Sequence, residues 1–302
     1  MFGQWLGTLP SAAAYGIIWG IMAIGVYITY RVLDIADLTV DGSICTGGAT
    51  FAMLLTAGLP IPLCLLISFI AGVLSGLVTG IFHTFMGIPA ILAGILTQLM
   101  LWSVNLKIMG RANVAIPSRN FETWISPLLP QWQSLAVLVA VIGVLIALLY
   151  WFFGTEYGTS LRATGNNPAM SRAQGINVNI AKIFGLMLSN GIVALAGAFL
   201  SQYQGFSDIK MGQGAIVIGL AAIIIGDAVS SRISKNFAVR LLGVVIGGII
   251  YYFVYQTIIF LGLDADLLKM LSALVVAIFL AIPHWKKTYF SKKKKKEVRR
   301  NA

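Results

Sequence analysis

Apolar runs of about 15 to 27 residues recur along almost the whole sequence, separated by short polar breaks. A helix rises 1.5 Å per residue, so crossing roughly 30 Å of hydrocarbon takes about 20 residues. Runs of that order fall at about 11–31, 61–82, 88–106, 134–154, 180–201, 214–230, 237–263 and 266–284. A ninth, about 44–58, is too short to span alone. Its start, Asp41-Gly42-Ser43-Ile44-Cys45-Thr46-Gly47-Gly48, is polar and glycine-rich, the pattern of a helix interrupted beside a protein-lined cavity. Asp41 also reads as the N-cap of a short helix, and the two readings are compatible. The pattern predicts an all-α polytopic membrane protein with about eight to ten transmembrane helices, one of them short or broken.

Composition agrees with the pattern. Of 302 residues, 58% are hydrophobic and 10% charged, against roughly 45–50% and roughly 25% in a soluble domain, which excludes a water-soluble fold. The net charge is +11, but residues 286–302 hold nine basic residues and one acid, so that tail carries +8 and the body only +3. A nucleic-acid partner is therefore not expected. The chain divides into a transmembrane domain over 1–285 and a basic tail over 286–302, a solvated segment attracted to anionic membrane lipid. Placing the tail inside also places Arg31, Arg162, Arg172, Lys182, Arg232, Lys235 and Arg240 inside, with Lys107, Arg111, Arg119 and Lys210 outside. Nine crossings would put the N-terminus outside. If 44–58 is re-entrant, eight crossings move it inside.

The residues supply little reaction chemistry. Cys45 and Cys64 lie in apolar segments with no histidine at ligand spacing, so neither a disulfide nor a metal site is expected. There is no strand-GxxxxGK[ST]-helix phosphate loop, His83 and His284 are about two hundred residues apart, and no nucleophile–base set stands out. No catalytic residue, metal or cofactor is expected. The ionisable residues in or beside apolar segments, Asp34, Asp37, Asp41, Asp227, Asp264, Asp266 and Lys269, are too sparse for an evident ion relay. Glycines four apart at Gly16/Gly20, Gly72/Gly76/Gly80 and Gly243/Gly247 read as packing seams. Polar side chains on apolar spans, Asp41, Thr46, Gln98, Ser103, Asn105, Ser189, Asn190 and Gln202, are candidates for a solute pathway, with interhelical hydrogen bonds as the alternative for each. The loop 107–133, with Pro117, Pro127, Pro130, Phe121, Trp124 and Trp132, reads as ordered on the membrane surface or as a docking element.

The most polar interior stretch is 154–178. It predicts a short helix around 159–165, a turn at Asn166-Asn167-Pro168, a second helix started by Pro168 and a glycine stop at Gly175. On the residues alone this is either a partner-docking element or a connecting loop. In the docking reading Arg162 and Arg172 flank a rigid turn in which Gly165 supplies conformational freedom.

These residues carry a resemblance. Leu161-Arg162-Ala163-Thr164-Gly165-Asn166-Asn167-Pro168, followed by Ala173-Gln174-Gly175-Ile176-Asn177, resembles the coupling segment of ATP-binding-cassette importer permeases of the branched-chain amino acid, simple sugar and nucleoside superfamily. Gly219-Leu220-Ala221-Ala222-Ile223-Ile224-Ile225-Gly226 and Leu38-Thr39-Val40-Asp41-Gly42-Ser43 resemble two further segments of it, although Asp227 stands where many relatives have a small residue. With Gly87–Thr97 and Asn105–Asn113 they resemble the branch of tryptophan/tyrosine transport permeases. The resemblance implies a type II importer permease in a bacterial plasma membrane. Two permease subunits would form the pathway, cytoplasmic ATPases would hydrolyse the ATP, and an extracytoplasmic binding protein would deliver the substrate. Arg162, Gly165, Asn166, Asn167, Pro168, Arg172 and Gly175 would sit in the ATPase groove. The implied substrate is an amino acid, aromatic in kind, with nucleosides or simple sugars as alternatives. An ion-coupled secondary transporter is the competing class.

Overall fold

Proline and glycine punctuate the chain. Pro60, Pro89 and Pro130 stand directly before helices α3 (Ile61–Thr84), α4 (Ala90–Met109) and α5 (Gln131–Gly154). Their fixed φ and missing N–H suit a first turn whose amides have no helical partner. At the other end, Gly110 and Gly205 take left-handed φ of 67° and 75° and stop α4 and α8 (Val178–Gln204). The remaining helices are α1 (Phe2–Tyr27), which continues as a wider π turn over Ile28–Val32, α2 (Val40–Thr56), α6 (Glu156–Asn166), α7 (Pro168–Ala173), α9 (Ala215–Ser230) and α10 (Phe237–Phe260). This computed structural model describes residues 2–116, 123–127, 130–230 and 236–260, with isolated positions from 270 to 281. The basic tail, most of the segment 266–284, Arg119, Arg232 and Lys235 lie outside the described residues.

Six described helices are long and apolar enough to cross a membrane, so the protein is a multi-pass, all-α membrane protein. Two short strands, β1 (Asn113–Ala115) and β2 (Phe206–Asp208), pair antiparallel after α4 and α8 and mark one face. The sequence pattern does not predict this ribbon. The 107–133 loop that contains β1 is thus tied to the chain leaving α8, and Asn113 also donates to Asp208 at 3.0 Å.

Glycine contacts fix the helix directions. A methyl group added at Gly72 or Gly76 would overlap the Asn190 or Leu186 carbonyl oxygen, and one at Gly80 would meet Ile183 at 3.0 Å, so α3 runs antiparallel to α8. Gly16 and Gly20 pack on Ile249 and Val245, and Gly247 on Ala222, which sets α10 against α1 and α9. The three seams read from the sequence are therefore helix crossings. Tyr15 meets Tyr203 edge-on at 4.9 Å, which brings the early part of α1 to the ribbon end of α8.

The segment 44–58 belongs to a passage rather than a re-entrant loop. From the end of α1, residues 33–39 run back into the bundle without helix, and α2 then starts beside the middle of α8, where the Ser43 hydroxyl donates to the Asn190 carbonyl oxygen at 2.6 Å. It ends at the ribbon face, where α3 begins. The described helices thus make eight passes between Phe2 and Phe260, with both of those residues at the ribbon face and Arg31, α6 and α7 at the opposite, basic face.

Candidate functional site

Near mid-height two shorter helices meet by their starts. Thr39 is the N-cap residue of α2, and Asp41 lies in its first turn. The expectation that Asp41 caps its own helix is replaced by a different geometry. Its carboxylate accepts the Gly214 N–H and the Ile216 N–H, both at 3.0 Å, and so caps α9. A carboxylate is favoured there because the first turn of a helix leaves its amides unpaired and at positive potential. Close packing holds the joint: a methyl at Gly212 would overlap the Asp41 carbonyl oxygen, and Cys45 Sγ receives the Gly212 N–H at 3.3 Å.

A second polar cluster lies one turn away. Asp37, 2% exposed, accepts the Thr39 N–H at 2.9 Å and an Asn190 amide N–H at 2.7 Å. The Thr39 hydroxyl bonds the Thr79 hydroxyl of α3 at 2.7 Å. Among the described residues the only salt bridge is elsewhere, so this carboxylate is held by neutral donors alone. The spacing of polar residues singled out Asn190 and missed the roles of Asp37, Thr39 and Thr79. A lone aspartate in a short loop gives no sign of which helix it will meet.

The pathway candidates come partly together. Asp41, Thr46, Asn105 and Asn190 gather around the first two turns of α2, where the Thr46 hydroxyl donates to the Gly42 carbonyl at 3.0 Å and an Asn105 amide N–H approaches the same oxygen at 3.5 Å. Gly42 packs directly on the backbone of Gln98. Gln202 sits far along α8, toward the ribbon, with both amide heteroatoms buried and unpartnered, as is Asn105 Oδ1. Asp41, Thr46 and Asn190 are therefore engaged in hydrogen bonds that join helices or stabilise their own. Of these candidates, Asn105 and Gln202 keep buried polar capacity unused.

At the basic face the helix–turn–helix takes its expected form. α6 begins where the Thr155 hydroxyl accepts the Gly158 N–H, and α7 where the Asn167 side chain accepts the Met170 N–H at 3.0 Å. Pro168 occupies the first turn of α7, and Gly175 has φ of 82° just past its end. Gly165 serves a purpose other than turn freedom. It lies within α6, and a methyl there would overlap the Val32 carbonyl oxygen, so glycine lets α6 lie directly on the end of α1. Asn166, Asn167, Pro168 and Arg172 are exposed. The Arg162 guanidinium instead lies over two aromatic rings, 4.4 Å from the centre of Phe237 and 5.3 Å from Phe153. Asp227, the departure from the resembled pattern, receives both Nε and Nη2 of Arg31 at 3.0 and 2.5 Å, tying the ends of α1 and α9.

Comparison with known proteins agrees with this architecture. The tyrosine transport system permease protein of Clostridioides difficile (strain R20291) is 38% identical over 91% of each chain. The autoinducer 2 import system permease protein LsrC of Yersinia enterocolitica is 28% identical over 72% of this chain and 58% of its own. Among solved structures, PsaBC from Streptococcus pneumoniae in complex with Fab superposes with a TM-score of 0.54, covering 97% of this chain and 100% of that one, at 16% identity, a likeness of fold. A family model described as the branched-chain amino acid transport system / permease component matches residues 9–282. The chain belongs to this family of ABC-type transport permeases.

Proposed function

We propose that this chain is the membrane-spanning subunit of a bacterial importer for an amino acid, aromatic in kind. Two copies form the pathway in the plasma membrane, separate cytoplasmic ATPases power it, and an extracytoplasmic binding protein delivers the substrate. The observation that carries the substrate reading is the 38% identity, over nine-tenths of both chains, to a tyrosine transport permease. The basic face is cytoplasmic in this reading, since Arg31, Arg162, Arg172, Lys182 and Arg240 belong to it, and basic residues are retained on that side. The C-terminal tail then lies in the cytoplasm.

The docking surface for the ATPase is the exposed α6–α7 turn. Two capped short helices joined at a proline hold Asn166, Asn167 and Arg172 in a fixed arrangement, so a push from a soluble partner moves α6 as a body. Through Gly165 that motion reaches the end of α1. Asn105 and Gln202, with unused amide groups, are the pathway contacts this reading favours for a zwitterion, because a buried amide left unpaired costs about 1–3 kcal/mol unless something satisfies it.

The test is uptake into proteoliposomes holding the chain with and without its ATPase and binding protein, together with calorimetry on the binding protein. ATP-dependent uptake only in the full assembly, and binding of tyrosine or tryptophan, are the expected results. Transport by the chain alone would reverse the assignment to a secondary transporter. Binding of a sugar or nucleoside and no amino acid would replace the substrate class.

A further inference from the structure

A groove of about 510 Å³ opens at the basic face between the end of α1, the C-terminal half of α6 and the start of α10. Three arginines line it, one from each element: Arg31, Arg162 and Arg240. Two are already held in place: Asp227 fixes Arg31, and the Phe237 and Phe153 rings lie under Arg162. Tyr30 and Asp34 complete the rim, and Asp34 adopts φ of 55° there. Among the described residues, three guanidinium groups stand against two carboxylates, Asp34 in the lining and Asp227 on Arg31, which leaves one positive charge uncompensated.

We propose that this groove binds the phosphodiester of an anionic phospholipid from the leaflet on the basic face. The planar guanidinium fork matches phosphate oxygens in a way that an ammonium does not. One surplus positive charge suits a phosphodiester, which carries a single negative charge, better than free phosphate, which is near its second ionisation at neutral pH and carries more. The height is that of lipid headgroups, because α1 ends and α10 begins here and both are membrane spans. Tyr27, Tyr30 and Phe237 give the groove the aromatic character of the interfacial belt. α7 contributes nothing to the lining, and α6 contributes Arg162, Gly165 and Asn166, so the groove opens on the bundle side of α6 and reaches the first residue of the exposed turn. A lipid phosphate there would join α1, α6 and α10 through one ligand.

The experiment uses the full-length permease purified in detergent and measures retained lipid by native mass spectrometry, with phosphatidylglycerol and phosphatidylcholine offered at equal concentration. The wild type is expected to retain phosphatidylglycerol in preference. Arg240→Gln should lower that retention about tenfold, the effect of losing one charge-assisted contact, with Arg240→Lys intermediate and Lys210→Gln, on the ribbon face, unchanged. An unaltered size-exclusion profile shows which variants are folded, and Arg31→Gln provides the same comparison if Arg240→Gln is not. Equal retention by wild type and both glutamine variants would overturn the proposal. So would displacement of the lipid by millimolar inorganic phosphate, which would mark a free-anion site, or its displacement by the bound ATPase, which would assign the groove to that interface.

Discussion

Asn190, midway along α8, donates an amide N–H at 2.7 Å to the carboxylate of Asp37, a residue of the non-helical stretch that carries the chain from α1 to α2. The same amide receives the Ser43 hydroxyl on its oxygen and donates to the Leu186 carbonyl. One side chain thus fixes where α2 begins against α8. Replacing Asn190 by the similarly sized Leu would take from a buried carboxylate one of its two donors and leave the Thr39 N–H as the other, and the expected cost is about 3 kcal/mol. Thermal unfolding in detergent should show a clear fall in midpoint for Asn190→Leu, and an unchanged midpoint would refute the role of this bond.

The α2–α8 contact predicts a strong contrast between glycines. A side chain at Gly47 would overlap the Ala194 carbonyl, whereas Gly143 on α5 has open space around it. Gly47→Val should abolish recovery of monodisperse protein, because backbone atoms cannot move aside as a flexible side chain would. Gly143→Ala should be neutral or stabilising by up to about 1 kcal/mol. Yield and peak shape in size-exclusion chromatography of the two variants check this.

Gly165 gives a prediction about the docking element. Gly165→Val forces α6 off Val32 and Leu33, at the very end of the first span, and leaves the apolar length of every span unchanged. Membrane insertion and yield should hold while ATPase co-purification and uptake fall. Normal values of both would reduce α6 and α7 to a connecting loop. Arg162→Glu should act similarly, since the carboxylate loses the attraction of the Phe237 and Phe153 ring faces.

Asp227→Ala should be mild by comparison. Its partner Arg31 has a side chain 53% exposed, and ion pairs in such surroundings contribute about 0–1 kcal/mol. A loss of several kcal/mol in unfolding measurements would mean that the pair is shielded far more than its exposure implies.

Purified permease should hydrolyse no ATP by itself. The sequence carries no phosphate-cradling loop, and phosphoryl transfer depends on positioned backbone amides, a lysine and magnesium ligands. A phosphate-release assay on the isolated chain, compared with the assembled complex, decides the point.

Much of this architecture is written in local sequence. Long apolar runs become spans because a bilayer leaves no other partner for backbone amides, and Pro168, Asn167 and Gly175 set α7 by short-range geometry. Glycine spacing foretold three helix crossings for the same reason, since close approach needs a row of missing side chains. What stayed hidden depends on residues far apart in the chain. Asp41 looked like the cap of its own helix and instead caps one that starts 174 positions later. For Asn190 and Thr46 the sequence leaves a pathway contact and a structural hydrogen bond both open, and the partners they take, Asp37 and the Gly42 carbonyl, could not be read from spacing. The purpose of Gly165 was hidden too, because Val32 lies on another element.

The meeting of α2 and α9 at Asp41 also has a mechanical meaning. α2 runs from that level to the ribbon face and α9 from nearly the same level to the basic face, so along this line no single rod connects the two sides. Two levers share a pivot formed by one carboxylate, two amide groups and the Cys45–Gly212 contact. A tilt imposed on α9 at the basic face reaches α2 directly through those few bonds. Both helices also turn the positive ends of their peptide dipoles toward the pivot, and the single negative charge of Asp41 offsets that repulsion. Removing the charge would loosen both levers at once, although the residue belongs to only one of them.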